Sequence, residues 1–369
     1  MKRGGILKSE YFLFYLLSYF NQEHSTNISQ ILHAFHGKRT PSMFYRIEKN
    51  SWHSGFNLSS RIQIEQLESI VNDHLNKGWL TPSEKGYKLT ANGLKTVQEY
   101  FKTHYYPQKI HSFSNVNIRI SFWERLQLFS QVFSETSYQN NSYVPVIKHP
   151  HHQESIRNLF QQFSPNIKGL LNQWIKEQSF IFKQLDKQLA DTLANQLTGH
   201  KKVGKTKDQI RNLLNMEPLE FQFYLNDALD VLIHVIKNHQ KIVPIHSAIL
   251  TTHFTERNYG LSTSTKHSFD LLKTGHSINE IANIRGIKPN TVREHILEMA
   301  FVLEKFPFTK FIPEEIHEQL NHKFEKHDNY TFKKALEDFD QLEFMWFRLT
   351  ELERMRMNGN EESNRTNIE

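Results

Sequence analysis

Apolar residues along this chain recur mostly at three- and four-residue spacing, the period of amphipathic helices, with one short stretch of two-residue alternation. The spacing predicts helices over Tyr11–Phe20 and Ile28–Phe35, before Gly37-Lys38-Arg39, and a longer one from about Ser60 to Asn76 on Ile64, Leu67, Val71 and Leu75. Gly78-Trp79-Leu80, the turn-prone run 81–86 and the alternating Tyr87-Lys88-Leu89-Thr90 read as strand, turn and strand, with helix again from Ala91. Beyond Pro107 a polar connector holds one amphipathic helix around Phe122 to Phe133, and Ser134 to Pro150 reads as a linker. Helices resume at Glu154 and run to about His239, with Leu185, Leu189, Leu193 and Leu197 on one face. Thr251 to Ser264, poor in apolar residues, reads as a second linker, and a compact helical block follows to Met357.

The order helix, strand, turn, strand, helix resembles a winged-helix domain, and Gly-Tyr-Lys-Leu-Thr-Ala-Asn-Gly at 86–93 is typical of that family's wing. The expectation is therefore a mainly α, multi-domain chain. Its parts are a winged-helix-like unit with a small β-wing over 1–106, a connector with one helix over 107–150 and a helical middle containing a helix-turn-helix over 151–250. A C-terminal helix-turn-helix with a helical extension covers 262–357, and a disordered tail 358–369.

Composition narrows the function classes. Hydrophobic residues make up 38% and the phenylalanines number 28, so there is apolar mass for real cores. A formal charge of +6, with a pI near 9.1, leans towards polyanions without identifying one. With no cysteine there is no disulfide, no Cys-ligated zinc or iron–sulfur cluster and no thiol nucleophile. Met1-Lys2-Arg3 and the apolar run after it are like a signal peptide, but Glu10 interrupts them and no small-residue cleavage site follows. No apolar stretch approaches the ~20 residues of a membrane span. A soluble, cytoplasmic protein with no membrane partner is expected.

The sharpest local signal runs from Gly275 to Ile296. Ser277 and Glu280 have capping-box spacing, Ile278, Ile281 and Ala282 form an inward face, and Gly286 permits a tight turn. Pro289 suits the first turn of a second helix with inward Val292, Ile296 and Met299. In such a helix-turn-helix the second helix presents its leading residues to the major groove, so Lys288, Asn290, Thr291 and Arg293 are the candidate DNA contacts. Asparagine and arginine pair bidentately with base edges, and lysine anchors phosphate. Helix-turn-helices also serve as protein contacts, and residues 265–300 carry five basic against four acidic side chains, so the local field is weak.

This segment resembles the helix-turn-helix at the C-terminus of some RecQ-type helicases. The whole chain, with its run Gly37-Lys38-Arg39-Thr40, resembles the YpbB-like proteins encoded beside such helicases in low-GC Gram-positive bacteria. Lys288 stands where the helicase pattern has a serine cap. The resemblance implies an accessory role in DNA repair or unwinding, with DNA and a RecQ-type helicase as partners.

A repeat is visible within the chain. Thr206, Gln209, Ile210, Leu213, Met216, Pro218, Phe221 and Leu225 fall at the spacing of Ser277, Glu280, Ile281, Ile284, Ile287, Pro289, Val292 and Ile296. A second helix-turn-helix is expected there, preceded by the densest basic patch in the chain, in which Lys201, Lys202 and Lys205 are candidate phosphate anchors. The same run, Gly199 to Thr206, also satisfies the phosphate-binding P-loop pattern, with Lys205 for phosphate and Thr206 for a metal. A P-loop follows a buried strand, however, and Leu185 to Leu197 is spaced as a helix.

Other constellations are weaker. His317-Glu318 begins like a zinc-protease motif, but Asn321 stands where its second histidine belongs. His149, His151 and His152 flank a proline, and Trp79 and Tyr87 are suited to stacking on bases or to a core. The longer predicted helix, Arg61 to Lys77, has two basic and three acidic residues, a poor DNA surface that suits a protein partner or self-association. From Glu337 onward nine acidic residues face four basic ones. The leading expectation is a DNA-binding accessory protein with no active site, cofactor or metal of its own. A sequence-specific transcription regulator is the first alternative and a P-loop nucleotide hydrolase the second.

Overall fold

The computed structural model describes residues 7, 9–108, 113–163, 167–327 and 330–365, excepting the side chains of Ile167 and of 358–365. Met1-Lys2-Arg3 lie outside them. The fold is mainly helical, as expected, with one two-stranded antiparallel sheet among the described residues. The chain forms two units, Met1–Lys38 with Asn50–Arg257, and Arg39–Lys49 with Asn258–Glu369.

In the first unit, α1 (Glu10–Leu17), α2 (Ile28–Phe35), α4 (Ile64–Asn76), β1 (Leu80–Ser83), β2 (Gly86–Leu89) and α5 (Ala91–Phe101) follow the winged-helix order. Helix α4 starts four residues later than the spacing predicts, because Gln63 and Gln66 form a capping box there. The strands run through residues expected to turn, leaving Glu84-Lys85 as the connection. Thr26 explains this. Its N–H donates to the Tyr87 carbonyl at 2.8 Å and its carbonyl accepts from the Tyr87 N–H at 2.9 Å, so β2 is paired on both sides and β1 becomes an edge strand that tolerates Pro82. Gly86 sits at φ +138°, where a Cβ would lie 2.3 Å from the Thr26 carbonyl oxygen. Tyr87 and Trp79 lie against Phe20 and Phe14, at ring-centroid distances of 6.4 and 5.7 Å.

The same unit continues through α6 (Arg119–Ser137), α7 (Pro150–Phe163), α8 (Ile167–Gln184), α9 (Lys187–Ala194), α10 (Lys207–Leu213), α11 (Pro218–Asn238) and α12 (Pro244–Glu256). The seams expected near 106 and 150 are therefore internal to one unit. Gln131 pins the expected linker, donating to the Val144 carbonyl at 3.0 Å and accepting from the Val146 N–H at 2.7 Å. The second expected linker is helical up to Glu256, and the chain passes to the second unit just after it.

The second unit joins α3 (Pro41–Lys49) to α13 (Thr263–Lys273), α14 (Ile278–Arg285), α15 (Pro289–Val302), α16 (Glu314–Lys326), α17 (Phe332–Asp338) and α18 (Phe344–Arg365). The tail expected over 358–369 overlaps the end of α18, and its last four residues lie outside the described ones. The assignment of α3 departs from an N-terminal domain over 1–106, and its cause is specific. Phe44, fully buried, stacks on Phe301 of α15 at 5.8 Å. Arg39 donates through Nε and Nη2 to Glu298 at 3.1 and 2.8 Å, and Glu298 also accepts from the Ser262 N–H, the Ser262 hydroxyl and the Thr265 hydroxyl.

Removing one partner of a buried ion pair leaves an unpaired charge, at a cost of about 3–5 kcal/mol. Glu298→Ala is accordingly expected to destabilise the second unit by about 3 kcal/mol. Hydrogen exchange at α13 and α15 amides checks this; unchanged protection there would refute the assignment of Glu298 as the unit's anchor.

Candidate nucleic-acid interface

The second unit holds the helix-turn-helix in the form its sequence calls for. Ser277 Oγ accepts from the Glu280 N–H at 3.3 Å while Glu280 Oε2 accepts from the Ser277 N–H at 2.7 Å, closing the capping box. Ile281 and Ala282 are buried and Ile278 half-buried. Helix α14 ends on Gly286 at φ +64°, and the Ile287 N–H returns to the Ala282 carbonyl at 3.0 Å. Pro289 opens α15, whose Val292, Ile296 and Met299 are buried. Lys288 supplies no side-chain cap, as its replacement of a serine implies.

The four candidate contacts divide. Lys288 and Asn290 are exposed and Thr291 is half-buried at the leading edge of α15. Arg293 is engaged within the protein: Nε donates to Glu343 Oε2 at 2.8 Å and Nη2 to Glu343 Oε1 at 2.7 Å, a two-pronged fork onto the residue preceding α18. Arg285 turns inward, donating to the hydroxyls of Ser268 and, at 3.0 Å, Ser264, and to His295 Nδ1 at 3.2 Å. The second unit carries 18 Lys and Arg against 20 Asp and Glu, a formal −2, leaving +8 on the first. Long-range attraction of a polyanion to this helix-turn-helix is thus weak, and affinity there has to come from direct contacts.

The repeat in the first unit has the same geometry. Thr206 and Gln209 form the capping box, Asn215 adopts φ +53° at the place of Gly286, and Pro218 opens α11. Ile210, Phe221 and Leu225 are buried like their counterparts, and Leu213, like Ile284, is exposed. Its leading edge faces inward. Glu217 Oε1 accepts from the Tyr11 N–H at 3.0 Å, capping α1, and Glu220 Oε1 accepts from the Tyr105 N–H at 2.7 Å. Leu219, at the position of Asn290, is buried. The signal was present in the sequence as two carboxylates where the other copy has Lys288 and Thr291.

Lys201, Lys202 and Lys205 are exposed on the loop before α10. Lys201 takes φ +56° in a tight turn closed by paired Gly199 and Lys202 backbone bonds, and Lys205 Nζ donates to Asn195 Oδ1 at 2.9 Å. The loop follows helix α9 rather than a strand, which corrects the P-loop reading. Its amides are also engaged: Gly199 and Lys202 bond each other's carbonyls, His200 donates to Ser134 Oγ, Gly204 to Thr198 Oγ1, Lys205 to the Asn195 carbonyl and Thr206 to Gln209 Oε1. A P-loop needs those N–H groups aimed at phosphate.

Elsewhere, His317 pairs with Glu353 at 2.6 Å, and His151 and His152 lie in the first turn of α7. No group of three or more His, Asp or Glu among the described residues is placed to hold a metal. No helix among them is long and apolar enough to cross a membrane.

Comparison with known proteins agrees with this geometry. Residues 264–350 match the family described as "Helix-turn-helix domain". The C-terminal unit carries a helix-turn-helix domain. Along most of its length the chain is similar to "Protein YpbB" of Bacillus subtilis (strain 168), at 21% identity over 337 residues, covering 87% of this chain and 90% of that protein. No solved structure matches.

His295 makes this domain sensitive to acid. It is buried on α15, and because the Arg285 guanidinium only donates, His295 Nδ1 is the unprotonated nitrogen. Burial first, then Arg285, lowers its pKa below 6.5, against an opposing pull from Glu298. The unfolded chain therefore takes up the proton first, so the neutral ring's contribution is complete above about pH 6.5 and is lost as pH falls towards the lowered folded value. Protection of α14 and α15 amides is expected to fall as pH drops below about 6.5, by up to about 1.4 kcal/mol per pH unit. In His295→Gln that slope should be shallower; an equal slope in both proteins would remove His295 as its source.

Proposed function

We propose that this chain is a DNA-binding accessory protein that assists a RecQ-type helicase in repair or unwinding. The observation that carries the reading is the exposed leading edge of α15, where Lys288 and Asn290 stand free behind the left-handed turn at Gly286, with Thr291 beside them. The resemblance of this motif to the C-terminal helix-turn-helix of RecQ-type helicases supports the accessory role, and the similarity to "Protein YpbB" extends along most of the chain. Lys201, Lys202 and Lys205 are exposed cations suited to phosphate. The exposed face of α4, with Glu65, Glu68 and Asp73, repels DNA and is left for a protein, either the helicase or a second copy of this chain.

In this reading Glu343 competes with DNA for Arg293, because one carboxylate already satisfies the guanidinium fork. Fluorescence anisotropy on blunt, forked and single-stranded DNA at two salt concentrations tests both points. Asn290→Ala should weaken duplex binding by roughly 5- to 100-fold, the value of a base contact, while Lys202→Ala lowers affinity uniformly and reduces the salt slope by about one. Preference for one duplex sequence over forked DNA would instead support a transcription regulator. Negligible effects from both substitutions would sink the assignment.

Glu343→Gln weakens the fork without adding a cation to the DNA face. It is expected to tighten duplex binding several-fold, and a further Arg293→Ala change should abolish the gain. An unchanged dissociation constant in Glu343→Gln would show that Arg293 stays bound to its intramolecular partner and reads no base.

A further inference from the structure

Besides the helix-turn-helix, the second unit contains a cleft of about 550 Å³ between the ends of α3 and α16, the start of α17 and the face of α18. That is the size of a small-ligand site. Its floor is aromatic: Phe324, Tyr330 and Phe332 surround Phe347 at ring-centroid distances of 5.2, 6.2 and 5.5 Å. Phe324 and Phe332 are only half-buried.

The rim is cationic. Lys49, Arg348 and Arg354 line it, with Glu351 as the opposing acid. Glu351 is already engaged, accepting from the Tyr45 hydroxyl and from Arg348, whose guanidinium lies 3.4 Å above the centre of the Tyr45 ring. Lys49 is exposed and forms no ion pair among the described residues, and Arg354 has the exposed Glu325 at 3.7 Å and the Asn321 carbonyl at 3.4 Å. An apolar ligand would leave the exposed Lys49 unpaired, and a bare anion would leave the half-buried Phe324 and Phe332 uncovered. A planar base carrying a phosphate satisfies both.

The cleft also adjoins the DNA-contacting helix through α18. Glu343, which holds Arg293, immediately precedes that helix; Phe347 and Arg348 follow one turn on, about 6 Å along the axis, and Glu351 and Arg354 come next. Phe344 meets both Phe332, at 5.1 Å, and Arg348, at 5.2 Å. We propose that this cleft binds an unpaired base and its phosphate in a single-stranded segment of DNA, beside the duplex held by α15. The placement beside a duplex rests on the function proposed above; the binding of an unpaired base does not.

The test uses the full chain and four probes: oligo(dT), a blunt duplex, the same duplex with a single-stranded tail, and dTMP alone. A tail is expected to raise affinity over the blunt duplex. Phe332→Leu and the surface change Lys49→Gln should each weaken oligo(dT) binding by roughly 5-fold or more, 5-fold being the low end for one stacked base, and leave the blunt-duplex dissociation constant unchanged. Asn290→Ala should do the reverse. Cleft-dependent oligo(dT) binding without duplex binding would uphold this site while overturning the duplex reading. Oligo(dT) affinity indifferent to both cleft substitutions, or binding of dTMP without oligo(dT), would overturn the proposal.

Discussion

A buried carboxylate must find donors, because desolvation of an unpaired charge costs more than a helical packing contact returns. Glu298 meets that demand from three places in the sequence: Ser262 and Thr265 at the start of α13, and Arg39 just before α3. The first two lie 36 and 33 residues away on the neighbouring helix, and the third 259 residues away. Around this one group the segments that form the helix-turn-helix domain are held together, and α3 is drawn out of the N-terminal segment into the second unit. The chain crosses from one unit to the other at three points, after Lys38, after Lys49 and after Arg257. The second unit is consequently not a contiguous C-terminal piece, and the run of residues matching the helix-turn-helix family, 264–350, leaves out the strap that completes its core.

Charge then limits how such a domain works. A net −2 on the second unit and +8 on the first separate the groove-reading geometry from the electrostatic attraction that usually accompanies it. On α15 the cations are either exposed, as Lys288, or committed to a carboxylate, as Arg293. A domain of this kind discriminates through short-range hydrogen bonding more than through field strength, since the field at its surface is close to neutral.

Local structure was legible in the sequence wherever the deciding residues are neighbours. The capping boxes at Ser277 and Thr206, the glycine turn at 286 and the prolines at 289 and 218 all sit where their spacing placed them. The buried faces also followed, from Ile281 and Val292 to their counterparts Ile210 and Phe221. What could not be read were partners set by tertiary packing. Nothing near Arg293 announces Glu343, nothing near Arg39 announces Glu298, and Thr26 gives no periodic sign that it will pair with Tyr87 and extend the wing. The linkers failed for the same reason: the polar segment after α6 is fixed by side chains of the flanking helices, Glu135 and Gln131 of α6 and Gln153 of α7.

The two helix-turn-helix copies show why a shared scaffold does not carry a shared role. The positions that build the motif, two caps, a left-handed turn residue, a proline and four inward apolar groups, are disjoint from those at the leading edge of the second helix. The first set is retained in both copies, with Asn215 taking the turn that Gly286 takes. The second set has changed sign and polarity. Glu217, Leu219 and Glu220 replace Lys288, Asn290 and Thr291, and carboxylates that would repel a phosphate instead accept the Tyr11 and Tyr105 backbone donors. Helix α1 thus lies where a nucleic acid would have to approach the first copy, and only the second copy keeps an edge with side chains turned to solvent. Motif geometry establishes that a leading edge exists; the chemistry of three or four side chains on it decides whether it meets a groove or another helix.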